Sequence, residues 1–243
     1  QDGTPLWPEY WHIEDLLDKK KTIGISGFST EYCNEPLADE ERIICQEWID
    51  EHRYDQLPPR NELRFFLGVD PATGKHDGTA IVPIAVHKDS GIVYVLPSFA
   101  ESCSEQKTLD QMVMLHQAYN FSLIGWEDVV FSGIYGNYIQ KLGVEQHIYL
   151  PILKVTTHGQ SKEIRVRSYS MMIQNGFIRF PKHGCSNIET QLTEFPLGAF
   201  DDLCDGLWLG LQAAQKAGSG KITMSTVKRT ARSVANKVIG RVR

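Results

Sequence analysis

Residues 197–212, LGAFDDLCDGLWLGLQ, place three aspartates, Asp201, Asp202 and Asp205, in a stretch otherwise apolar enough for a buried helix. Like charges ~4 Å apart repel by about 1 kcal/mol in water and by several times more near a low-dielectric interior. On a helix starting near Asp201 each residue advances about 100°. The three carboxylates then share one sector near the N-terminus, while Leu203, Leu207 and Leu211 face the core. One aspartate is explained as a cap that complements the helix dipole; three on one face exceed what capping requires. Asp70 ends the apolar run LRFFLGVD, where a charge is costly unless the strand mouth is polar or holds a cation. Asp77 follows in the turn PATGKHDG, and Glu127 closes another apolar run, SLIGWE. An all-carboxylate set of this kind suits Mg2+ or Mn2+, hard cations with oxygen ligands. Two such ions ~4 Å apart would clamp the attacking and leaving oxygens of an in-line phosphoryl displacement. For Asp77 and Asp205 a turn or surface role stands beside metal contact.

The elements that must position these acids are legible in the pattern. Residues 1–60 read as helical and aromatic-rich, ending at the paired prolines of QLPPRNE. Three β-rich runs follow, 63–70, 79–88 and 92–101, separated by Gly/Asp turns, and predict an antiparallel meander. Helices are predicted over 106–120, 133–143 and 161–176, the last closed by Asn175-Gly176, with strands at 121–127 and within 146–155. IETQLTEF and the aspartate-rich segment complete the helices. A meander followed by alternating helices and strands predicts a mixed α/β sheet with helices on both faces.

Bulk composition bounds the function classes. A chain of 243 residues, 42% hydrophobic and 23% charged, can bury a core without staples. Five cysteines with no C-x-x-C pair and no zinc spacing indicate free thiols in a reducing compartment. No apolar run reaches membrane-spanning length, and no signal-peptide pattern opens the chain. The chain starts at Gln1, which is read as a piece of a longer protein. Of 25 Lys and Arg residues, eight lie from Lys216 onward with no acid among them, leaving 17 against 30 acids in the body. A basic tail on an acidic body suits a polyanion or an acidic partner.

The order Asp on the first strand, Glu on the fourth, Asp-Asp on a late helix resembles the RNase H-like nuclease fold of the RuvC/integrase type. More finely, the chain resembles the nuclease domain of viral terminase large subunits, the DNA-packaging motors of tailed bacteriophages and herpesviruses. GVDPATGKHDGTA is similar to that family's first motif and IGWEDVVFSG to its central Glu motif. KEIRVRSYSMMIQNGFIRFP resembles its Lys/Arg helix and following strand, and LTEFPLGAFDDLCDGL its closing acidic motif. The leader, LWPEYWHIEDL…EWI, looks like the segment that joins the ATPase motor to the nuclease.

The resemblance implies that Asp70 bridges two Mg2+ or Mn2+ ions, with Glu127 the second ligand and Asp202 or Asp201 the third. It implies a second-metal role for Asp77 and places Lys162 near the scissile phosphate. The implied organisation is a leader at 1–60, a nuclease domain at 61–215 and a basic tail at 216–243. The implied partners are double-stranded DNA, portal protein, the small terminase subunit and an ATPase domain of the same full-length chain, in the host cell cytoplasm, with no membrane. Arg165 and Arg167 read as a solvated helix face with possible DNA backbone contact, and His158 as an ordinary surface histidine. AGSGKITM (217–224) has Ile222 after its lysine and lacks the earlier glycine of a phosphate-binding loop, so it predicts no ATP hydrolysis. Two readings compete with the packaging nuclease. A Holliday-junction resolvase of the same fold would prefer branched DNA. A non-enzymatic DNA- or portal-docking module would use these acids only as caps and turn formers.

Overall fold

The computed structural model describes residues 12–19, 42–71, 78–128, 135–157 and 159–218. Asp77, His158, most of the leader, the phosphate-loop look-alike beyond Gly218 and the basic tail lie outside these residues.

A seven-stranded mixed sheet forms the centre. Its strands are β1 (Leu63–Asp70), β2 (Thr79–His87), β3 (Val93–Val95), β4 (Phe99–Glu101), β5 (Leu123–Glu127), β6 (Ile152–Val155) and β7 (Ile178–Arg179). The order across the sheet is β6-β5-β1-β2-β3-β7, with β4 also on β2. β1 and β2 are antiparallel, from Leu63 opposite His87 to Asp70 opposite Ala80. β5 and β6 run parallel to β1. β1 is buried along nearly its whole length, which is why its apolar run is continuous rather than alternating.

The helices around the sheet include α1 (Gln46–Glu51), α2 (Glu105–Tyr119), α3 (Gly136–Gln146), α4 (Lys162–Gln174), α5 (Ser186–Glu194) and α6 (Asp202–Lys216). One core joins Phe66, Val82 and Ile84 of the sheet to Tyr169, Ile188 and Leu207 of α4, α5 and α6. The other face packs Phe65, Leu67 and Ile81 on Leu109 and Met112 of α2. Both faces are thus covered. No described helix is long and apolar enough to cross a membrane, and Cys45, Cys103, Cys185 and Cys204 are free thiols.

Two differences from the sequence pattern are physical. The run 92–101, expected as one strand, is two, because Leu96–Ser98 break the ladder around Pro97. Its halves still pair with β2, Val93–Val95 on Ile84–Val86 and Phe99–Glu101 on Thr79–Ile81. The second difference concerns residues before the paired prolines. Ile43, Ile44 and Ile49 are buried in the main core. Arg53 forms a two-pronged ion pair with Glu189 of α5 at 2.6 and 2.9 Å. This end of the leader is part of the folded body.

Candidate functional site

Parallel pairing of β1 with β5 sets Val69 beside Trp126. The next position on each strand is an acid, so Asp70 and Glu127 stand side by side at the carboxyl ends of adjacent parallel strands. Trp126 is fully buried against Tyr135, ring centres 4.8 Å apart, and anchors the strand immediately before Glu127.

Helix α6 brings the remaining acids because it sits unusually close to the sheet. A Cβ on Gly68 would overlap the Gly206 carbonyl oxygen and stand 2.5 Å from the Gly210 nitrogen, and one on Gly125 would overlap the Leu209 carbonyl. Glycines in the interiors of β1 and β5 therefore face the backbone of α6 directly. This seating sets the N-terminus of α6 over the strand ends. Asp202 rests against Gly78, where a Cβ would lie 3.0 Å from its Oδ2.

Capping does not explain the aspartates. Asp201 is the N-cap residue of α6 yet makes no side-chain capping hydrogen bond. Gln191 of α5 supplies the cap, its Oε1 accepting from the Leu203 N–H at 2.8 Å. The Asp201 carboxylate instead accepts from Lys162 Nζ at 2.6 Å. Lys162 owes its place to Ser161, whose hydroxyl caps α4 by accepting from Ile164 N–H and makes Lys162 the first helical residue. Gln191→Ala should therefore weaken the start of α6 by about 1 kcal/mol, the usual value of a cap. Thermal melting should fall by roughly 2–4 °C; an unchanged melting temperature would show that this cap contributes nothing.

Electrostatically the cluster is held together against repulsion. Burial, and then the carboxyls of Asp205, Glu127 and Asp202, push the Asp70 pKa up to about 8, with Lys162 opposing them. Asp205 is 3% exposed, and burial raises its pKa although Arg165 and Lys162 pull it down. Lys162 is partly desolvated, but its hydrogen bond to Asp201 and the Asp205 charge raise its pKa above the ordinary lysine value.

Arg165 corrects the sequence expectation of a solvated face. It is buried, its Nη2 lies 3.3 Å from Asp205 Oδ2 and 3.2 Å from Oδ1, and its guanidinium stacks 5.3 Å from the Trp208 ring centre. Among the described residues Asp205 Oδ1 has this ion pair but no hydrogen bond. Arg167 does lie outside, paired with Glu163 one turn away.

Of the residues singled out by sequence, the structure brings Asp70, Glu127, Asp201, Asp202, Asp205 and Lys162 to one end of the sheet; Asp77 is not described. Among the described residues no three Asp, Glu, His or Cys side chains converge closely enough to enclose an ion as placed. The donor chemistry still fits a hard divalent cation. The acids are all carboxylates, and burial with the neighbouring negative charges pushes the Asp70 pKa up to about 8, a repulsion that a bound cation would relieve. Sequence reasoning missed the Gln191 cap and the inward turn of Arg165. Glycines inside β1 and β5 were the available signal for the close helix, and the three-residue spacing of Lys162 and Arg165 for their shared face.

The fold is shared with solved structures at low identity. The human cytomegalovirus terminase nuclease domain, manganese-soaked and inhibitor-bound, gives a TM-score of 0.51 at 13% identity, over 70% of this chain and 94% of that one. The HK97 bacteriophage large terminase gives 0.53 at 10% identity, over 70% of this chain and 43% of that one, so this chain spans less than half of that protein. No protein-family model matches the sequence, and no curated protein does either. The sheet and its flanking helices form an RNase H-like fold.

Proposed function

We propose that this chain is the nuclease part of a viral terminase large subunit, a metal-dependent endonuclease that cuts concatemeric double-stranded DNA during genome packaging. One observation carries the reading. Asp70 and Glu127 end adjacent parallel strands, and a helix seated on glycines brings Asp201, Asp202 and Asp205 to the same point, its N-cap residue Asp201 making no side-chain capping hydrogen bond.

In this reading Asp70, Glu127 and Asp202 or Asp201 hold Mg2+ or Mn2+, with Asp77 and Asp205 as the further acids proposed for a two-ion site. Bound there, such ions would activate a water and stabilise the charge of an in-line phosphoryl displacement. The water oxygen joins phosphorus, the bond to the 3′ oxygen breaks, and the products are a 3′-hydroxyl and a 5′-phosphate. Lys162 sets a positive charge beside the acids, where it would steady the scissile phosphate. Asp205 holds Arg165 and reaches Lys162 at 3.4 Å, which fixes the lysine's direction.

We further propose the organisation given by the sequence, a leader at 1–60, the nuclease at 61–215 and a basic tail at 216–243 that contacts DNA or the portal, with the leader's end from Ile43 packed into the nuclease core. The ATPase motor of the same full-length chain, the portal and the small terminase subunit complete the assembly in the host cytoplasm. DNA contact is mostly to phosphates, so affinity should fall steeply with salt.

The test is conversion of supercoiled plasmid to nicked and linear forms with Mn2+, Mg2+ or EDTA. Metal-dependent cutting should appear in the wild type and fall at least 100-fold in Asp70→Asn and Asp202→Asn. A folded protein that cuts with neither metal would remove the enzymatic reading.

A further inference from the structure

Beside the acids lies a groove of about 440 Å³, walled by α5, β4 and the segment entering α6. Its volume falls within the ~300–1,000 Å³ typical of ligand pockets. Asp202 belongs to both the groove and the acid cluster, so the two are continuous.

The lining is chemically distinct from a phosphate track. It contains the carboxylates of Glu101 and Asp202 and, among the described residues, no Lys or Arg. Lys107, just outside, is paired with Glu101. A backbone phosphate would meet repulsion here; an uncharged ring would not. Three polar side chains of α5, Asn187, Thr190 and Gln191, face the groove at one-turn spacing while Ile188 and Leu192 turn to the core. The Gln191 carbonyl is occupied by the α6 cap, which leaves its amide N–H groups as donors. Phe200 lines the groove, is 55% exposed and has no aromatic partner among the described residues. A phenyl ring held in water immediately before Asp201 and Asp202 has no packing role that accounts for it.

We propose that this groove accepts one unstacked nucleobase of the strand being cut, next to the scissile phosphate, with Phe200 as its stacking platform and the α5 amides and hydroxyl on its edges. The proposal rests on the nuclease reading above and deepens it, naming which part of the substrate lies beside the acids and in what state. Stacking on a ring tolerates any base, so the groove selects DNA that opens easily at the cut rather than a sequence. A base displaced from the helix is least costly where pairing is already weak.

The test uses duplex oligonucleotides carrying 5-iodouracil at successive positions, bound in Ca2+ to suppress cutting, irradiated, and mapped by mass spectrometry. Plasmid cleavage in Mn2+ is run in parallel. A crosslink at Phe200, confined to one or two positions and strengthened by a mismatch there, is the expected result. Phe200→Ala and Phe200→Leu should lose it, with roughly tenfold weaker binding of the mismatched duplex and unchanged thermal melting. Crosslinks only at other residues, or equal binding by the Phe200 variants, would overturn the groove assignment. If plasmid is cut while no position crosslinks to Phe200, the groove assignment fails and the nuclease stands. If DNA is neither bound nor cut, both fail.

Discussion

Metal-free Asp70→Asn is expected to be more stable than the wild type at pH 7 and above, and to lose the stabilisation that Mn2+ gives the wild type. Burial and the neighbouring carboxyls push the folded Asp70 pKa up to about 8, against about 3.9 in an unfolded chain. Below about pH 4 the group is protonated in both states and makes no difference. Between about pH 4 and 8 the unfolded chain sheds a proton that the folded protein keeps, so stability falls as pH rises, by at most ~1.4 kcal/mol per unit. Above about pH 8 both states are ionised and the penalty is complete. Asparagine has no such titration, so the variant's advantage should vanish at pH 4 and grow towards pH 8. For the wild type, a divalent ion offsets the repulsion; an ion at 100 times its dissociation constant adds ~2.7 kcal/mol, or roughly 5–10 °C in melting temperature. Binding at pH 7 should also release a proton, measurable by calorimetry in buffers of different ionisation enthalpy. Melting curves at pH 4, 7 and 8.5, with and without Mn2+, provide the check. A variant less stable than wild type at pH 8.5, or one that keeps the full Mn2+ shift, would contradict the proposed role of this carboxyl.

Gly68→Ala should be the more damaging change, although it adds a single methyl group. The added carbon would overlap the Gly206 carbonyl oxygen, and both partners are backbone, so no side-chain rotation relieves it. Helix α6 must lift or tilt, losing contact along β1 and β5. Overpacking of a dense core costs about 1–3 kcal/mol, occasionally more, and backbone-to-backbone overlap belongs at the upper end. A fall in melting temperature of roughly 6–12 °C follows. Lifting α6 also moves Asp201 and Asp202 away from Asp70, so the Mn2+ shift should shrink in protein that remains folded. Gly91→Ala is the comparison: it has a left-handed backbone but nothing within 4 Å of its added carbon, so any loss there reflects backbone strain and leaves the Mn2+ shift intact. Equal stability of Gly68→Ala and wild type would mean that α6 is not seated where the structure sets it.

Much of this protein is determined locally, and there the sequence is sufficient. The unbroken apolar run of 63–70 marks a strand buried on both faces, and Asp70 at its end marks a polar mouth. Ser161 before Lys162 announces the start of α4, and the spacing of Leu203, Leu207 and Leu211 gives the inner face of α6. These signals depend on neighbours within a turn or a strand, where geometry is fixed by backbone periodicity. What only the tertiary structure decides involves partners far apart in the chain. Arg165 looks like any surface arginine until packing of α4 on α6 sets it against Asp205, 40 residues away, and over Trp208. Gln191 caps a helix that begins eleven residues after it, so no local capping pattern contains it. Whether three aspartates are caps, a surface or a site could not be read from their spacing. Two of the three are engaged by cations from α4, and the capping N–H of Leu203 already has an acceptor from α5. A helix's period says which residues share a face; only packing decides what that face meets, because the same face is compatible with many neighbours.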